Sequence, residues 1–307
     1  MSLKSEFRRG GAMVRIFPWL KTIDKVLSAC APPSRIEENM FVGSDFGGYH
    51  KGSRFLVFGY LVCGRGMAPW NSLRTSVRDA FLGDGRRISF KRLNNSYTRD
   101  ALEPFLQATD ALHGKLVCFM VDKRLFPLNK AAKGGPLLAS LKGKWSDKGF
   151  DDAFMKALLF SAVSAKWLRP NSNVSWVTDQ DPFIANENYH DDMLSLSARL
   201  CALSSQKPIR QFALVSTEDD LHDRMFEDFV AIPDLAVGML AELGTSLRDE
   251  TNWQTLGNLI PHSKELQEKT STIMDWFWSY SPFLEKTCIV IDKAPEGIRA
   301  FRLDRFQ

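Results

Sequence analysis

The chain has 307 residues, which is enough for one large domain or two small ones. Its hydrophobic fraction of 44% and charged fraction of 25% are those of an ordinary globular protein. The formal net charge of +4 is too small to require a nucleic-acid partner by itself, so such a partner must be argued from local clusters of charge.

The five cysteines are scattered, with no CxxC pair and no histidine at zinc-finger spacing. This pattern predicts reduced thiols in a core, as in intracellular proteins. No apolar run approaches the roughly eighteen residues that a membrane helix needs, and the basic start of the chain lacks the apolar stretch of a secretory signal. We therefore expect a cytoplasmic protein with no membrane partner.

The first part of the chain predicts an extension followed by a hairpin. Residues 1–39 form a basic and amphipathic N-terminal extension, in which residues 14–30 predict a helix. Met40–Ser44 and Arg54–Cys63 are apolar, β-prone runs joined by a glycine-rich turn, which is a hairpin pattern.

Three further elements follow in the next sixty residues. Arg86–Arg92 alternates polar and apolar residues and predicts a third strand. Thr98–His113 predicts a helix that ends at Gly114. Lys115–Val121 is a continuous apolar run, which is typical of a buried strand.

The second half predicts alternating helices and strands after a basic loop at Asn129–Lys148. The predicted elements are a helix at Asp151–Leu168, a strand at Asn173–Thr178, a helix at Tyr189–Leu203, a strand at Gln211–Ser216 and an apolar helix at Glu227–Leu243 broken by Pro233. Residues 245–307 predict a helical region and a closing hairpin packed on the main domain at residues 40–244. The expected class is α/β, with a mixed sheet and helices on both faces.

Aspartates follow the predicted strands at the points where these strands end. Asp45 follows the first strand, Asp122 follows the central apolar run, and Asp179 and Asp181 follow the strand at Asn173–Thr178. Asp234 lies at the proline of the late helix. Open α/β sheets carry their sites at the carboxyl edge, and hard oxygen ligands suit Mg²⁺ or Mn²⁺. These five residues are the candidate metal ligands, and ordinary turn aspartates are the alternative.

Basic residues flank the proposed acidic centre on both sides. Lys91 lies on the predicted third strand, Lys123 directly follows Asp122, and Lys142 and Lys144 lie in the basic loop. Cations of this kind position a phosphate backbone while metal ions act on one phosphate, so these lysines are candidate phosphate ligands. Solvated surface lysines are the alternative.

The order of elements resembles the ribonuclease H-like superfamily. Within it, the chain resembles the microbial domain-of-unknown-function 3800 family, whose first strand ends in Asp-Glu-Ser-Gly. The matching positions here are the opening motif Asp45-Phe46-Gly47-Gly48, the strand lysine Lys91, the strand-end Asp122 and Asp179, and the late-helix segment Ala231–Ala236 with Asp234. The resemblance covers roughly residues 40–240. It implies a ribonuclease H-like fold and a two-metal nuclease site made of these aspartates.

Two functions follow, and the sequence leaves both open. The first is a metal-dependent nuclease that hydrolyses nucleic-acid phosphodiester bonds. The second is a non-catalytic subunit that keeps the fold and binds nucleic acid, a protein partner or a second copy of itself. Phe46 and Gly47 stand where the family has Glu and Ser, which favours the second function. Ribonuclease H also uses a helix glutamate, for which Asp100 and Glu103 are the candidates.

Overall fold

A computed structural model of the chain describes residues 20–125, 142, 145–179, 187–204, 209–220, 223–246, 267–295 and 297–303. Its centre is a seven-stranded sheet with the order β5-β4-β1-β2-β3-β6-β7. The strands are β1 Asn39–Gly47, β2 Phe55–Gly64, β3 Gly114–Asp122, β4 Ser172–Thr178, β5 Ile209–Ser216, β6 Leu284–Ala294 and β7 Gly297–Leu303.

The strand directions make the sheet mixed. Strands β1, β2 and β3 are consecutive neighbours and run antiparallel to one another. Strands β4 and β5 extend the sheet on the other side of β1 and run parallel to it. On the opposite edge β6 runs parallel to β3, and β7 closes an antiparallel hairpin with β6. The C-terminal hairpin is therefore part of the same sheet as β1.

Helices cover both faces of this sheet, as two separate apolar clusters show. The helices are α1 Leu20–Ala29, α2 Ala68–Phe81, α3 Ser96–Asp100, α4 Leu102–Thr109, α5 Asp147–Trp167, α6 Glu187–Ser204, α7 Met225–Ser246 and α8 Glu268–Trp278. Short 3-10 helices lie at Phe90–Asn94, Lys123–Leu125 and Thr217–Asp219. The predicted α/β class with a mixed sheet is confirmed.

Helix α7 lies directly on β1 because two glycines remove the side chains between them. A methyl group built on Gly43 would lie 2.8 Å from the Phe229 ring, and one built on Gly47 would lie 2.7 Å from the Val237 side chain. Such distances are shorter than carbon contacts allow, so only glycine permits this approach. On the opposite face, Trp176 of β4 stacks on Phe160 of α5, with ring centroids 4.3 Å apart.

The prediction of a third strand at Arg86–Arg92 is wrong. Residues 86–89 have no regular structure, a 3-10 helix follows at Phe90–Asn94, and the third strand of the sheet is β3. The alternation of polar and apolar residues has another cause. Ile88 and Phe90 are buried in the core beside α7, while the basic residues before and after them face acids or solvent.

Helix α7 also differs from expectation, because Pro233 lies inside it and does not break it. The cost of the lost hydrogen bond, about 3 kcal/mol, is offset by burial of most of the helix against β1 and β2. Contrary to the sequence prediction, α7 is long and apolar enough to span a membrane, and it is the one such helix among the described residues. Because 72% of its most apolar window is buried inside the protein, it fits the core helix of a soluble protein.

The other described elements agree with the sequence to within a few residues. The first hairpin, the buried strand, the alternating second half and the closing hairpin are all present. All five cysteines are buried and form no disulfide, as predicted. Helix α2 was not predicted, and the predicted helix at Thr98–His113 consists of the two shorter helices α3 and α4.

Candidate functional site

Asp45 and Asp179 are adjacent across the β1–β4 ladder. The last recorded parallel pair joins Ser44 to Thr178, and Asp45 and Asp179 are the next residues on the two strands. Neighbouring strands lie about 4.8 Å apart, and residues at the same level of parallel strands point to the same face. Asp45 lies between the two glycines that face α7, so both aspartates belong to the α7 face of the sheet.

Helix α7 brings Asp234 to the same place. Gly59 of β2 pairs with Asp45, and a methyl group built on Gly59 would lie 3.2 Å from the Pro233 side chain. Pro233 therefore packs directly beside the position of Asp45, and Asp234 is the next residue of the helix. Three separate elements, β1, the end of β4 and α7, thus carry acids to one region at the edge of the sheet.

The environment of Asp234 raises the pKa of its carboxyl group to about 6. Burial is the main cause, and the negative charge of Asp179 adds to it. The backbone N–H of Phe90 opposes this effect by donating a 2.6 Å hydrogen bond to Asp234 Oδ2, as do the positive charges of Lys91 and Arg87. The contribution of Asp179 to this raised pKa agrees with the placement of the two carboxylates in one region.

Arg87 is a positively charged side chain that contacts these acids directly. Its Nη2 donates a 2.8 Å hydrogen bond to Asp179 Oδ1, and its Nε lies 3.4 Å from Glu227 Oε1 of α7. The Thr217 hydroxyl donates a second 2.8 Å hydrogen bond to the same Asp179 oxygen. Arg87 therefore supplies positive charge to a group of acids that would otherwise repel one another.

Lys91 lies beside the acids, although not on a strand. It belongs to the 3-10 helix Phe90–Asn94, its side chain is exposed, and its charge lowers the pKa of Asp234. The predicted position near the acidic centre is therefore consistent with the structure, whereas the predicted strand that carries it is not.

Asp122 does not lie with the other aspartates, contrary to its expected place in the same metal site. Strand β2 separates β1 from β3, and in this register Asp45 is level with Gly59 and with Cys118. Asp122 follows Cys118 by four residues on β3. It is therefore about 13 Å further along the sheet and about 10 Å across it from Asp45.

Asp122 has a different role at this edge of the sheet. Its side chain is buried and accepts hydrogen bonds from the backbone N–H of Arg124 at 2.9 Å and from Arg124 Nε at 3.0 Å. Arg54 Nε lies 3.4 Å away. Burial raises the pKa of Asp122, but the hydrogen bonds of Arg124 and the charges of both arginines outweigh it, and the pKa lies below its usual value. These contacts are those of a structural ion pair.

Several other predicted residues are placed, and some lie outside the described residues. Lys123 Nζ donates a 2.7 Å hydrogen bond to the His50 carbonyl, and Lys142 is partly buried. Asp100 and Glu103 are exposed on α3 and α4, and Glu103 accepts a hydrogen bond from Gln107. Their assignment as ligands stays a prediction. Asp181, Lys144 and most of the basic loop Asn129–Lys148 lie outside the described residues.

Within the described part of the chain, no group of three or more His, Cys, Asp or Glu side chains is arranged to hold a metal ion. The chemistry of Asp45, Asp179 and Asp234 nevertheless fits a hard divalent cation, because all three donors are carboxylates. Burial, together with the charge of Asp179, raises the pKa of Asp234, and a cation at this place would favour its charged form. In the described arrangement Arg87, bonded to Asp179, supplies part of this compensation.

Sequence reasoning placed Arg87 among the basic residues that flank the acidic centre but missed its hydrogen bond to Asp179, and it missed Thr217 and Glu227 altogether. The signal for Arg87 was the run RRISFKR, in which four of seven residues are basic. The run was predicted to be a third strand, whereas it is irregular and its Arg87 is bonded to Asp179. Thr217 and Glu227 carry no comparable signal, because a lone threonine after a strand and an acid in a first helical turn are common.

Comparisons with protein families, with curated proteins and with solved structures give no match to this chain.

Proposed function

We propose that this chain is a metal-dependent nuclease built on a ribonuclease H-like sheet. The observation that carries this proposal is the meeting of Asp45, Asp179 and Asp234, which come from β1, the end of β4 and α7, on one face and edge of the sheet. The proposed ligand set is these three residues, without Asp122. Asp181 stays a further candidate from sequence.

The topology supports the ribonuclease H-like part of the proposal. Three consecutive antiparallel strands are followed by two parallel strands that alternate with helices, which is the expected order. The resemblance to the domain-of-unknown-function 3800 family points the same way, since the acids at Asp45, Asp179 and Asp234 are among its matching positions. In this proposal the partner is DNA or RNA, and the protein works in the cytoplasm.

The chemistry follows from the residues that surround the acids. Asp45, Asp179 and Asp234 would hold one or two Mg²⁺ or Mn²⁺, which when bound activate water and stabilise the leaving oxygen of a phosphodiester. Lys91 is exposed beside Asp234 and would contact a neighbouring phosphate. The backbone N–H of Phe90 orients the Asp234 carboxylate through its hydrogen bond to Oδ2.

A second function is favoured by one observation, which is the hydrogen bond from Arg87 to Asp179. If this guanidinium is the permanent counterion of the acids, the chain would bind nucleic acid through Lys91 and its neighbours without cleaving it. The two functions differ in a single property, because only the nuclease needs the acids to exchange Arg87 for a divalent ion.

A cleavage assay tests the nuclease proposal. Single-stranded, double-stranded and hybrid substrates are incubated with wild-type protein in Mg²⁺ or Mn²⁺, and EDTA is the blank. Asp45→Asn and Asp179→Asn should each lose on the order of a hundredfold in rate, because the ligands act as a unit.

Asp191→Asn is the matched control. Asp191 is exposed on α6, so this variant should cleave at the wild-type rate. Cleavage that persists undiminished in both Asp45→Asn and Asp179→Asn would show that the chemistry lies elsewhere. Binding without any cleavage by the wild-type protein would favour the second function.

A further inference from the structure

An open pocket of about 460 Å³ lies next to the acidic site. It is formed by the loop before the 3-10 helix, by that helix and by the start of α3. Lys91 lines this pocket and directly follows Phe90, whose backbone N–H donates a 2.6 Å hydrogen bond to Asp234, so the pocket lies next to the acidic site. The lining residues that matter here are Asp84, Arg86, Lys91, Arg92, Asn95 and Thr98.

Two cations of this pocket are available to a ligand. Lys91 and Arg92 are both exposed, and within the described residues neither side chain has a hydrogen bond or ion pair. Arg86 differs from them, because Asp84 binds its guanidinium through both carboxylate oxygens. The pocket therefore carries an excess of positive charge from two successive side chains, which suits a phosphate.

An exposed aromatic ring, that of Tyr97, lies against Arg86 of the pocket lining. Tyr97 is 65% exposed, which is high for an aromatic residue. The Arg86 guanidinium carbon lies 5.1 Å from the centroid of this ring and covers part of it. Asn95 Oδ1 accepts the backbone N–H of Tyr97 at 3.0 Å and Arg86 Nη1 at 3.3 Å, so the ring and the arginine are held to the same amide.

The part of the Tyr97 ring that Arg86 leaves exposed could stack on an unpaired base, and Lys91 and Arg92 could bind the backbone phosphate. Single strands are bound by cations that follow the backbone and by aromatic rings on which bases stack, and a paired base does not offer its face to such a ring. Lys91 lines the pocket, and the residue before it bonds to Asp234, so the pocket and the acids are near enough for one strand to contact both.

We propose that this pocket is a subsite for single-stranded nucleic acid, with a backbone phosphate at Lys91 and Arg92 and an adjacent base stacked on Tyr97. The proposal rests on the nuclease function and names the class of its substrate. Double-stranded regions would bind less well, because their bases are stacked on one another and are not free to cover Tyr97.

The test is a binding measurement in EDTA, where no metal-dependent cleavage takes place. Fluorescence anisotropy follows an oligothymidylate of about eight nucleotides and an abasic oligonucleotide with the same number of phosphates. Tyr97→Leu should weaken oligothymidylate binding about tenfold or more and leave abasic binding unchanged, because only the former can stack. Tyr97→Phe keeps the ring and should bind as the wild type does.

Tyr280→Leu is the matched control. Tyr280 is 89% exposed on another part of the surface, so its substitution should leave the affinity for both ligands unchanged. Lys91→Ala and Arg92→Ala should weaken both ligands and should each lower the slope of log affinity against log salt by about 0.7, the value for one lost phosphate contact. Lys25→Ala on α1 is the control for charge, because Lys25 is exposed and lies on a different element.

The outcomes separate this proposal from the nuclease function. Loss of oligothymidylate binding in Tyr97→Leu supports the subsite even if no substrate is cleaved in the metal assay. Wild-type affinity of Tyr97→Leu for oligothymidylate, an equal loss for both ligands, or no binding by the wild-type protein would each overturn the subsite. None of these results would contradict the nuclease proposal if cleavage depends on Asp45.

Discussion

Arg87 donates a 2.8 Å hydrogen bond to Asp179, and so a positive side chain is fixed at one of the three acids that we propose as metal ligands. The same guanidinium lies 3.4 Å from Glu227 and lowers the pKa of Asp234. A metal ion at these acids would have to compete with Arg87. Whether a metal ion can displace Arg87 from Asp179 therefore distinguishes a metal site from a permanent ion pair.

Removal of the Arg87 charge should strengthen metal binding. Arg87→Gln should raise the affinity for Mn²⁺ about tenfold or more, because a cation no longer repels the ion at short range. Arg87→Lys is the matched control and should change the affinity less, since it keeps the charge. Isothermal titration calorimetry measures both variants. An unchanged or lower affinity in Arg87→Gln would show that the acids form no metal site with Arg87 as competitor.

The stability of the protein should depend on pH through Asp234. Its folded pKa of about 6 lies above the usual value near 3.9, so the folded state binds more protons than the unfolded state between about pH 4 and 6. The free energy of unfolding should therefore fall as pH rises through this window. Asp234→Asn keeps an acceptor for the Phe90 N–H and should be about 2 kcal/mol more stable than wild type at pH 7.

Urea unfolding at several pH values measures this difference, which should shrink towards zero near pH 4. Asp191→Asn is the exposed control and should follow the wild-type curve. An Asp234→Asn variant that is less stable than wild type at pH 7 would contradict the raised pKa.

The coupling between the two acids can be measured directly. Asp179→Asn should lower the pKa of Asp234 from about 6 towards its usual value, since the negative charge of Asp179 helps to raise it. Arg87→Gln should raise the same pKa, because the positive charge of Arg87 lowers it. Carboxyl-carbon NMR titration reports both shifts. Equal pKa values of Asp234 in the wild type and in Asp179→Asn would place the two carboxylates too far apart to share an ion.

Asp122 should matter for stability and not for cleavage. Its pKa is lowered by Arg124 and Arg54, so its contribution to stability is present above the usual pKa and is lost as pH falls through the folded value. Asp122→Asn should lower the free energy of unfolding by about 1–3 kcal/mol at pH 7. The cleavage rate per folded molecule should stay within about twofold of wild type. A hundredfold loss of rate in a folded Asp122→Asn variant would return Asp122 to the ligand set.

Much of the sheet could be predicted from sequence because its strands are apolar runs. β3 is buried along its whole length and reads as one apolar stretch, and β1 and β2 are separated by a glycine-rich turn. Asp45, Asp179 and Asp234 were found because each stands at the end of a strand or at a proline in a helix. These signals are local. The parallel β1–β4 pairing makes Asp45 and Asp179 neighbours, and packing of α7 on the sheet adds Asp234.

The errors arose where tertiary contacts decide the structure. Residues 86–92 alternate like a strand, but burial of Phe90 against Gly238 of α7 and contacts of Arg87 with acids give them another conformation. Pro233 was expected to break α7, but the helix continues through it because it packs on Gly59. Helix α2 has its inward positions at Trp70, at Val77 and at a buried arginine between them, so its apolar pattern is interrupted.

The most direct test is a crystal structure of the wild-type protein soaked in Mn²⁺, with the ion located by anomalous scattering. We predict an ion bound by carboxylate oxygens of Asp45, Asp179 and Asp234, with Arg87 displaced from Asp179. Asp122 should remain bonded to Arg124 in the same crystal. The contrary result is a crystal at saturating Mn²⁺ in which these three aspartates hold no ion and Arg87 is still bonded to Asp179. It would contradict the proposal of a metal-dependent nuclease.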